Sequence, residues 1–154
     1  MKKILALFMV IMMLVPAIHT DAGSKISEES VYDMAVEIGG KYNICPEFLQ
    51  AMAFRESSYN PYAKNGDCIG LMQVSQKWHK DRMNRLGVDN LYDPYGNMLV
   101  AADYLSELFI EYEDPAIVLH VYNGDNDAFK DYYISDYAED ILNLSMELER
   151  ENGK

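Results

Sequence analysis

Glu56 is the acidic residue in this sequence whose position best suits acid chemistry. It follows Leu49, Met52 and Ala53 at the spacing i, i+3, i+4 and i+7, so it continues one apolar helix face. A carboxylate on such a face loses water, and desolvation raises its pKa by disfavouring the charged form. A carboxylic acid that stays protonated near neutral pH is what a general acid requires. The same spacing also allows a last-turn glutamate that has frayed into solvent and has no catalytic role.

The helix that carries Glu56 is one of six that the sequence predicts from capping residues, prolines and glycines. Their predicted limits are Ser27 to Gly39-Gly40, Pro46 to about Glu56, Ser75 to Gly87, Asp93-Pro94 to about Tyr112, Asp114-Pro115 to just before Gly124, and a last helix from Ser135 or Asp136. Strand signals are nearly absent and the connections are short. The sequence therefore predicts a compact all-α domain.

The segment between Tyr59 and Gln73 does not follow a helical pattern. It reads "YNPYAKNGDCIGLMQ", with a proline and the pairs Asn-Gly and Gly-Asp. This composition predicts a loop, with a small hairpin at Asn65-Gly66. A long irregular segment directly after a buried helix end is often functional.

The N-terminus resembles a secretory signal peptide. Two lysines precede an apolar run from Ile4 to Ile18, and small and polar residues follow. The run is shorter than the roughly 20 residues of a comfortable membrane span. We therefore predict a signal peptide at residues 1–22, cleaved after Ala22, and a single secreted domain at residues 23–154 with no stable membrane insertion. The alternative is an uncleaved N-terminal anchor.

The charge of the predicted mature domain limits its partners. Without residues 1–22, the chain has 11 basic and 24 acidic residues, a formal net charge of −13. Such a surface repels nucleic acid and anionic lipid, so neither is an expected partner. The acidity itself says little about the reaction.

Cysteine and histidine residues are few. Cys45 and Cys68 both lie in the predicted exported part, where an even count permits one disulfide. The alternative is that the pair remains two small buried thiols. The histidines at positions 19, 79 and 120 are scattered, and neither HExxH nor a Cys/His cluster occurs. We predict no metal site and no cofactor.

Three short motifs occur in a fixed order. "ESSYNP" begins at Glu56, "GLMQ" spans Gly70–Gln73 and "VYNG" spans Val121–Gly124. Together they resemble the lytic transglycosylases (SLT domain) of the goose-lysozyme-like superfamily, bacterial enzymes that cut the glycan of peptidoglycan. "NICPEFLQAMAFRESSYNP" looks like the family's catalytic helix, "LYDPYGNMLVAADYLSEL" resembles the helix that follows, and "SDYAEDIL" is similar to the closing helix. The resemblance covers about residues 42–145 and implies a lysozyme-like helical fold.

The resemblance also implies roles for individual residues. Glu56 becomes the catalytic acid, Ser57 helps to position it, and the segment Gly70–Gln73 forms one wall of the sugar cleft. The substrate-binding residues implied are Ser57, Gly70, Met72, Gln73, Tyr122, Asn123 and Tyr137. The implied partner is a peptidoglycan glycan strand, and an envelope assembly partner is also possible.

The residue types in the cleft wall suggest a structural or binding role for each position. Gly70 lets the backbone approach substrate or adopt a conformation closed to other residues. Gln73 offers both donors and an acceptor to N-acetyl and hydroxyl groups. Leu71 is expected to pack inward, Met72 suits either a sugar or the core, and Asn123 either binds substrate or holds a loop.

The mechanism implied by the resemblance uses one essential acid. Glu56 protonates the glycosidic oxygen between N-acetylmuramic acid and N-acetylglucosamine, and then takes the proton of the muramic 6-hydroxyl, which closes a 1,6-anhydro ring. A lysozyme-like muramidase would instead use a water positioned by a second carboxylate. The candidates for that second carboxylate are Asp67, Asp89, Asp93 and Asp125, whose spacing better suits turns and caps. The third hypothesis is that the protein is a catalytically inactive peptidoglycan-binding protein.

Several positions depart from the family pattern. Tyr59 replaces the usual phenylalanine, Ser58 stands where glycine is common, and Ser75 replaces an apolar residue. Lys64 and Asn65 occupy the place of a loop serine that often contacts substrate. These changes bear on affinity and glycan preference, and they leave the acid intact.

Overall fold

The computed structural model describes residues 25–124 and 133–154. Within them lie six helices and three short strands: α1 (Glu28–Tyr42), α2 (Pro46–Ser57), β1 (Lys64–Asn65), β2 (Cys68–Ile69), β3 (Val74–Ser75), α3 (Gln76–Leu86), α4 (Pro94–Tyr112), α5 (Pro115–Tyr122) and α6 (Asp136–Glu151). The prediction of a helical domain with a small hairpin region is confirmed. The predicted signal peptide lies outside the described residues. No helix in the described ranges is both long and apolar enough to cross a membrane.

Capping side chains set most helix starts, as predicted. The hydroxyls of Ser27 and Ser135 and the carboxylates of Asp93 and Asp114 each accept a hydrogen bond from a backbone N–H in the first turn of their helices. Ser75 precedes α3, but its hydroxyl forms no cap and has no hydrogen-bond partner among the described residues.

The predicted end of α1 at Gly39-Gly40 is wrong. The helix continues to Tyr42 and ends at Asn43, which adopts the left-handed conformation. Gly39 is buried inside the helix, and a β-carbon there would collide with the carbonyl oxygen of Ile44. This glycine therefore permits a close backbone approach instead of ending the helix.

Helix α2 lies between α1 and α6, and α4 packs against α1, α3 and α5. The largest side chains that these helices bury completely include Ile38, Leu49, Met52, Met98, Leu105, Leu119 and Ile141. Burying a side chain of this kind stabilises the fold by about 1.5–3 kcal/mol. The packing holds α2 on two sides and so fixes its last turn, which carries Glu56.

The irregular segment after α2 contains a small antiparallel sheet. Asn65 pairs with Cys68, so the turn residues are Gly66 and Asp67, one position later than predicted. Gly66 has φ +60°, a conformation that favours glycine. Strand β3 pairs with β2 and was not predicted, because two residues are too few to show an alternating pattern.

The disulfide that the sequence permits does not form in this structure. Cys45 and Cys68 are free thiols. Cys45 precedes the first turn of α2, whereas Cys68 lies beside Glu56 at the other end of the same helix. A helix of 12 residues is about 18 Å long, far beyond the roughly 7 Å between α-carbons that a disulfide allows.

Glu47, in the first turn of α2, is a buried carboxylate whose side chain has an exposed fraction of 0%. It accepts hydrogen bonds from the Asn152 amide at 2.8 Å, the Lys154 ammonium at 2.8 and 3.0 Å, the Tyr32 hydroxyl at 3.2 Å and the Cys45 thiol at 3.1 Å. Burial alone would raise the pKa of Glu47, but the donors, with Lys154 foremost, lower it to about 2.

We expect this cluster to make folding stability depend on pH in acid. Because the folded-state pKa of Glu47 lies below its ordinary value of 4.5, its contribution is fully present above pH 4.5 and is lost as the pH falls toward 2. Lys154→Met removes the charged donor, so it should lower the free energy of unfolding at neutral pH and weaken the acid dependence. Urea unfolding at a series of pH values measures both effects. Lys25→Met, an exposed lysine, is the control, and equal acid dependence in the two variants would contradict the prediction.

Candidate active site

Glu56 lies in the last turn of α2, half-buried, and its side chain is held in place. The hydroxyl of Tyr137, from the first turn of α6, donates a hydrogen bond to Glu56 Oε1. The guanidinium of Arg55 lies 5.4 Å from the Tyr137 ring centroid, and its Nε is 3.1 Å from Asp140 Oδ2. The alternative of a glutamate frayed into solvent is therefore wrong.

The surroundings of Glu56 act on its pKa in opposite directions. Burial raises the pKa, whereas the hydrogen bond from Tyr137 and the charge of Arg55 lower it, and the net result is a raised pKa. Burial thus favours the protonated acid, while Tyr137 stabilises the ionised form.

Ser57 joins the end of α2 to the cleft wall. Its Oγ lies 2.8 Å from the carbonyl oxygen of Leu71 and 3.1 Å from that of Ala53, and it accepts a hydrogen bond from the N–H of Asn60 at 3.2 Å. The hydroxyl is occupied by these backbone groups. Ser57 therefore positions the segment Gly70–Gln73 relative to Glu56.

Asn97, in the first turn of α4, holds the same segment from the other side, and its side chain is completely buried. Its Oδ1 accepts the N–H of Met72 at 2.7 Å, and its Nδ2 donates to the carbonyls of Ile69 at 2.8 Å and Leu91 at 2.9 Å. We did not identify Asn97 as a site residue from sequence. The available signal was an amide directly before the apolar run "MLVAA".

Gly70 and Met72 serve the packing of this wall. Gly70 is buried with φ +82°, and a β-carbon there would collide with Asn97 and with the Leu91 carbonyl. The prediction of a conformation closed to other residues is confirmed. The side chain of Met72 is fully buried beside Leu71 in the core, so the prediction that it binds substrate is corrected. The physical reason is that the chain turns toward the core at Leu71 and Met72, the two residues before Gln73.

Three other predicted residues reach the cleft. Tyr122, at the end of α5, donates its hydroxyl to the Met72 carbonyl at 2.8 Å and lines the cleft with its ring. Gln73 uses its Nε2 to hold the loop, at 2.9 Å from the Gly70 carbonyl and 3.2 Å from that of Ala63. Its Oε1 has no hydrogen-bond partner among the described residues. Asn123 is exposed beside Tyr122 and follows the last turn of α5.

The cleft consists of two connected hollows. The hollow around Glu56 has a volume of about 460 Å³ and is lined by Arg55, Glu56, Asn65, Cys68, Gln73, Tyr122, Asn123 and Tyr137. A second hollow of about 780 Å³ shares four of these residues and continues along α3. The structure thus brings together Glu56, Gln73, Tyr122, Asn123 and Tyr137.

The second hollow contains residues that the sequence did not assign to the site. Trp78 lines it with an exposed fraction of 78%. Tyr104 of α4 lies with its ring centroid 5.8 Å from that of Tyr122 and 4.8 Å from that of His79. Cys68 lines both hollows, and burial raises the pKa of its thiol, which favours the neutral form. Exposed aromatic residues in a cleft suit stacking on sugar rings.

The candidate second carboxylates lie elsewhere or outside the described residues. Asp67 forms part of the hairpin turn, and Asp93 caps α4. Asp89 is exposed in the loop after α3, and Asp125 is not among the described residues. Of the described residues that line the hollow around Glu56, none of the others is a carboxylate.

Replacing Tyr137 by phenylalanine should move the pH dependence of activity. The lost hydroxyl is a donor that favours the ionised form of Glu56, so the pKa of Glu56 should rise further. The alkaline limb of the kcat/KM profile, where the acid loses its proton, should then shift to higher pH. Tyr104→Phe is the matched control, since Tyr104 lines the cleft away from Glu56. A limb that stays in place, or moves to lower pH, would count against this role.

Comparison with known proteins identifies relatives of this chain. A sequence model of the family described as Transglycosylase SLT domain matches residues 33–144. The membrane-bound lytic murein transglycosylase E of Buchnera aphidicola subsp. Acyrthosiphon pisum is 31% identical over 84 residues, covering 49% of this chain and 38% of that protein. A transglycosylase of Enterobacteria phage PRD1 is 35% identical over 85 residues, covering 54% of this chain and 31% of that protein. The chain therefore matches about a third of the length of these relatives.

A solved structure has a similar fold. The structure of an inactive mutant of the lytic transglycosylase Slt from Pseudomonas aeruginosa superposes with a TM-score of 0.68 at 16% identity. The match covers 79% of this chain and 24% of that one. The likeness confirms the predicted lysozyme-like helical fold.

Proposed function

The chain belongs to the transglycosylase SLT domain family, and we propose on that basis that it cleaves peptidoglycan glycan strands without consuming water. The bond cut is the β-1,4 linkage between N-acetylmuramic acid and N-acetylglucosamine, and the product carries a 1,6-anhydro end. Glu56 acts first as general acid and then as general base. One observation supports this most directly. Glu56 is half-buried and has a raised pKa, and no other described residue that lines the hollow around it is a carboxylate.

The proposed reaction has two proton transfers. Protonated Glu56 gives its proton to the glycosidic oxygen as the bond from that oxygen to the anomeric carbon breaks. The substrate's own N-acetyl carbonyl stabilises the oxocarbenium-like centre. The ionised Glu56 then takes the proton of the muramic 6-hydroxyl, and that oxygen bonds to the anomeric carbon. Because the 6-hydroxyl takes the place of water as the nucleophile, no water is consumed. Glu56 ends in its protonated form.

Tyr137 has a definite role in this sequence of steps. Its hydroxyl donates to Glu56 Oε1, and such a bond is stronger when the acceptor is charged. The bond therefore stabilises the carboxylate that exists between the two proton transfers. Burial acts in the opposite sense, because it favours the protonated form of Glu56. A hydrolase would require a second carboxylate to activate water.

The proposed setting is the cell envelope outside the cytoplasm. It rests on the substrate class and on the signal-like residues 1–22. Secretion and an assembly partner stay predictions.

Mass spectrometry of muropeptides tests the reaction. Purified peptidoglycan is treated with the protein and, in parallel, with its Glu56→Gln variant. Products lighter by one water than the hydrolysed ones, formed only by the unmutated protein, support the proposal. Products with reducing ends would assign a muramidase, and identical profiles with both proteins would leave a wall-binding role.

A further inference from the structure

A groove on the outer face of the hairpin is lined by three lysines. Lys64 of β1 and Lys77 and Lys80 of α3 border a hollow of about 410 Å³, together with Gly66, Asp67, Ile69 and Gln76. All three lysines are exposed, and none forms an ion pair with a described residue. We call this feature the lysine groove.

The other cations near the cleft are neutralised by the protein itself. Arg82 pairs with Asp103, and its Nη2 is 2.6 Å from Glu107 Oε2. Arg85 Nη2 is 2.9 Å from Asp103 Oδ2. The lysine groove, in contrast, contains three ammonium groups and one carboxylate, that of Asp67. Its local excess of positive charge stands out on a chain with a formal net charge of −12, and an anionic ligand would relieve the repulsion among the lysines.

The lysine groove and the cleft lie on opposite faces of one strand. Cys68 of β2 lines the hollow around Glu56, and the next residue, Ile69, lines the lysine groove. The Lys77 ammonium also lies 5.2 Å from the ring centroid of Trp78, which lines the cleft. The lysine groove therefore borders the cleft across β2 and at Trp78.

We propose that the lysine groove binds the carboxylates of the short peptides attached to the muramic acid residues of peptidoglycan. The inference rests on the proposed function, which places the glycan in the adjacent cleft. Peptide-bearing glycan then binds more tightly than bare glycan, because the three ammonium groups contact only the former.

A binding measurement on a variant without catalysis tests the proposal. The Glu56→Gln protein is titrated onto immobilised glycan strands that are free of other wall polymers. The strands are either peptide-bearing or stripped of peptide by an amidase, with the lactyl carboxylates that the amidase exposes capped as methyl amides. The test variant adds Lys64→Gln, Lys77→Gln and Lys80→Gln. The control variant adds Lys25→Gln and Arg150→Gln, which remove cations that also form no ion pair with a described residue. Thermal unfolding verifies that both variants are folded.

Each exposed ion pair contributes a factor of about two in affinity, so the triple change should weaken binding to peptide-bearing strands about eightfold. Binding to stripped strands should change less than twofold, and the control should behave like the parent. Equal weakening on both strands, or no preference of the parent for peptide-bearing strands, overturns the proposal. In a separate titration with a phosphate-bearing wall polymer, lysine-dependent binding to that polymer without a preference for peptide-bearing strands overturns it too. Because the readout is binding, a hydrolytic product in the muropeptide assay would refute the proposed reaction without touching this result.

Discussion

Glu56→Gln should lower the rate of glycan cleavage by about a thousandfold or more. General acid–base catalysis by one positioned group contributes about 10²–10⁴-fold, and in the proposed reaction a single carboxyl serves as both acid and base. Glutamine keeps the size of the side chain and can still accept the hydrogen bond from Tyr137. The loss should therefore appear in kcat, with the KM for glycan changed little.

The same substitution should raise stability at neutral pH. The folded-state pKa of Glu56 lies above its ordinary value of 4.5, so its contribution to stability is fully present below pH 4.5 and is lost as the pH rises through the raised value. Glutamine does not ionise, so the variant should unfold at a higher temperature at pH 7, and the gain should shrink at pH 4. Such an exchange of stability for activity is common at catalytic sites.

Glu147→Gln is the matched control for both measurements, because Glu147 is exposed on α6. It should leave turnover and the melting temperature nearly unchanged. Activity retained by Glu56→Gln would refute the catalytic role of Glu56. A melting temperature lowered at pH 7 would show that the carboxylate stabilises the fold instead.

Asn97→Ala should have the second largest effect, on stability and on activity together. It removes three hydrogen bonds in a buried place and leaves the Met72 N–H without a partner. A buried group left unsatisfied costs about 1–3 kcal/mol, so the loss of three bonds should cost at least about 3 kcal/mol. The cleft wall would also lose its attachment to α4, and kcat/KM should fall at temperatures where the variant is still folded.

Urea unfolding and glycan turnover measure these two effects. Asn143→Ala, at an exposed asparagine on α6, controls for the loss of an amide from a helix. Asn97→Asp keeps the acceptor for Met72 but turns a buried carboxylate oxygen toward the carbonyls of Ile69 and Leu91, so it should be no more stable than Asn97→Ala. Equal stability of Asn97→Ala and Asn143→Ala would contradict the role of Asn97 in holding the cleft wall.

The sequence alone located the helices well because their ends depend on local chemistry. Ser27, Asp93, Asp114 and Ser135 bond to N–H groups only two or three residues away, so their effect is visible in a short stretch of sequence. The apolar spacing that ends at Glu56 is equally local. These signals determined the helical class, the element carrying the acid and the loop beside it.

The errors arose where the role of a residue depends on packing that its immediate neighbours in the sequence do not show. The sequence predicted a helix end at Gly39, but this glycine allows the Ile44 carbonyl to approach the helix closely. A disulfide between Cys45 and Cys68 was compatible with their number, yet the length of α2 keeps them apart. Met72 belongs to the core because the wall turns inward there.

The tertiary structure alone decided how the site is assembled. The composition and spacing of residues do not show that Asn97 bonds to Met72, 25 positions earlier, or that Tyr137 bonds to Glu56, 81 positions earlier. Such contacts depend on how α2, α4 and α6 pack, and that packing is a sum of many small burial terms over the whole chain. The sequence therefore singled out Glu56 as the proposed acid, whereas the packing of distant helices decided its burial, its hydrogen-bond partner and the shape of its cleft.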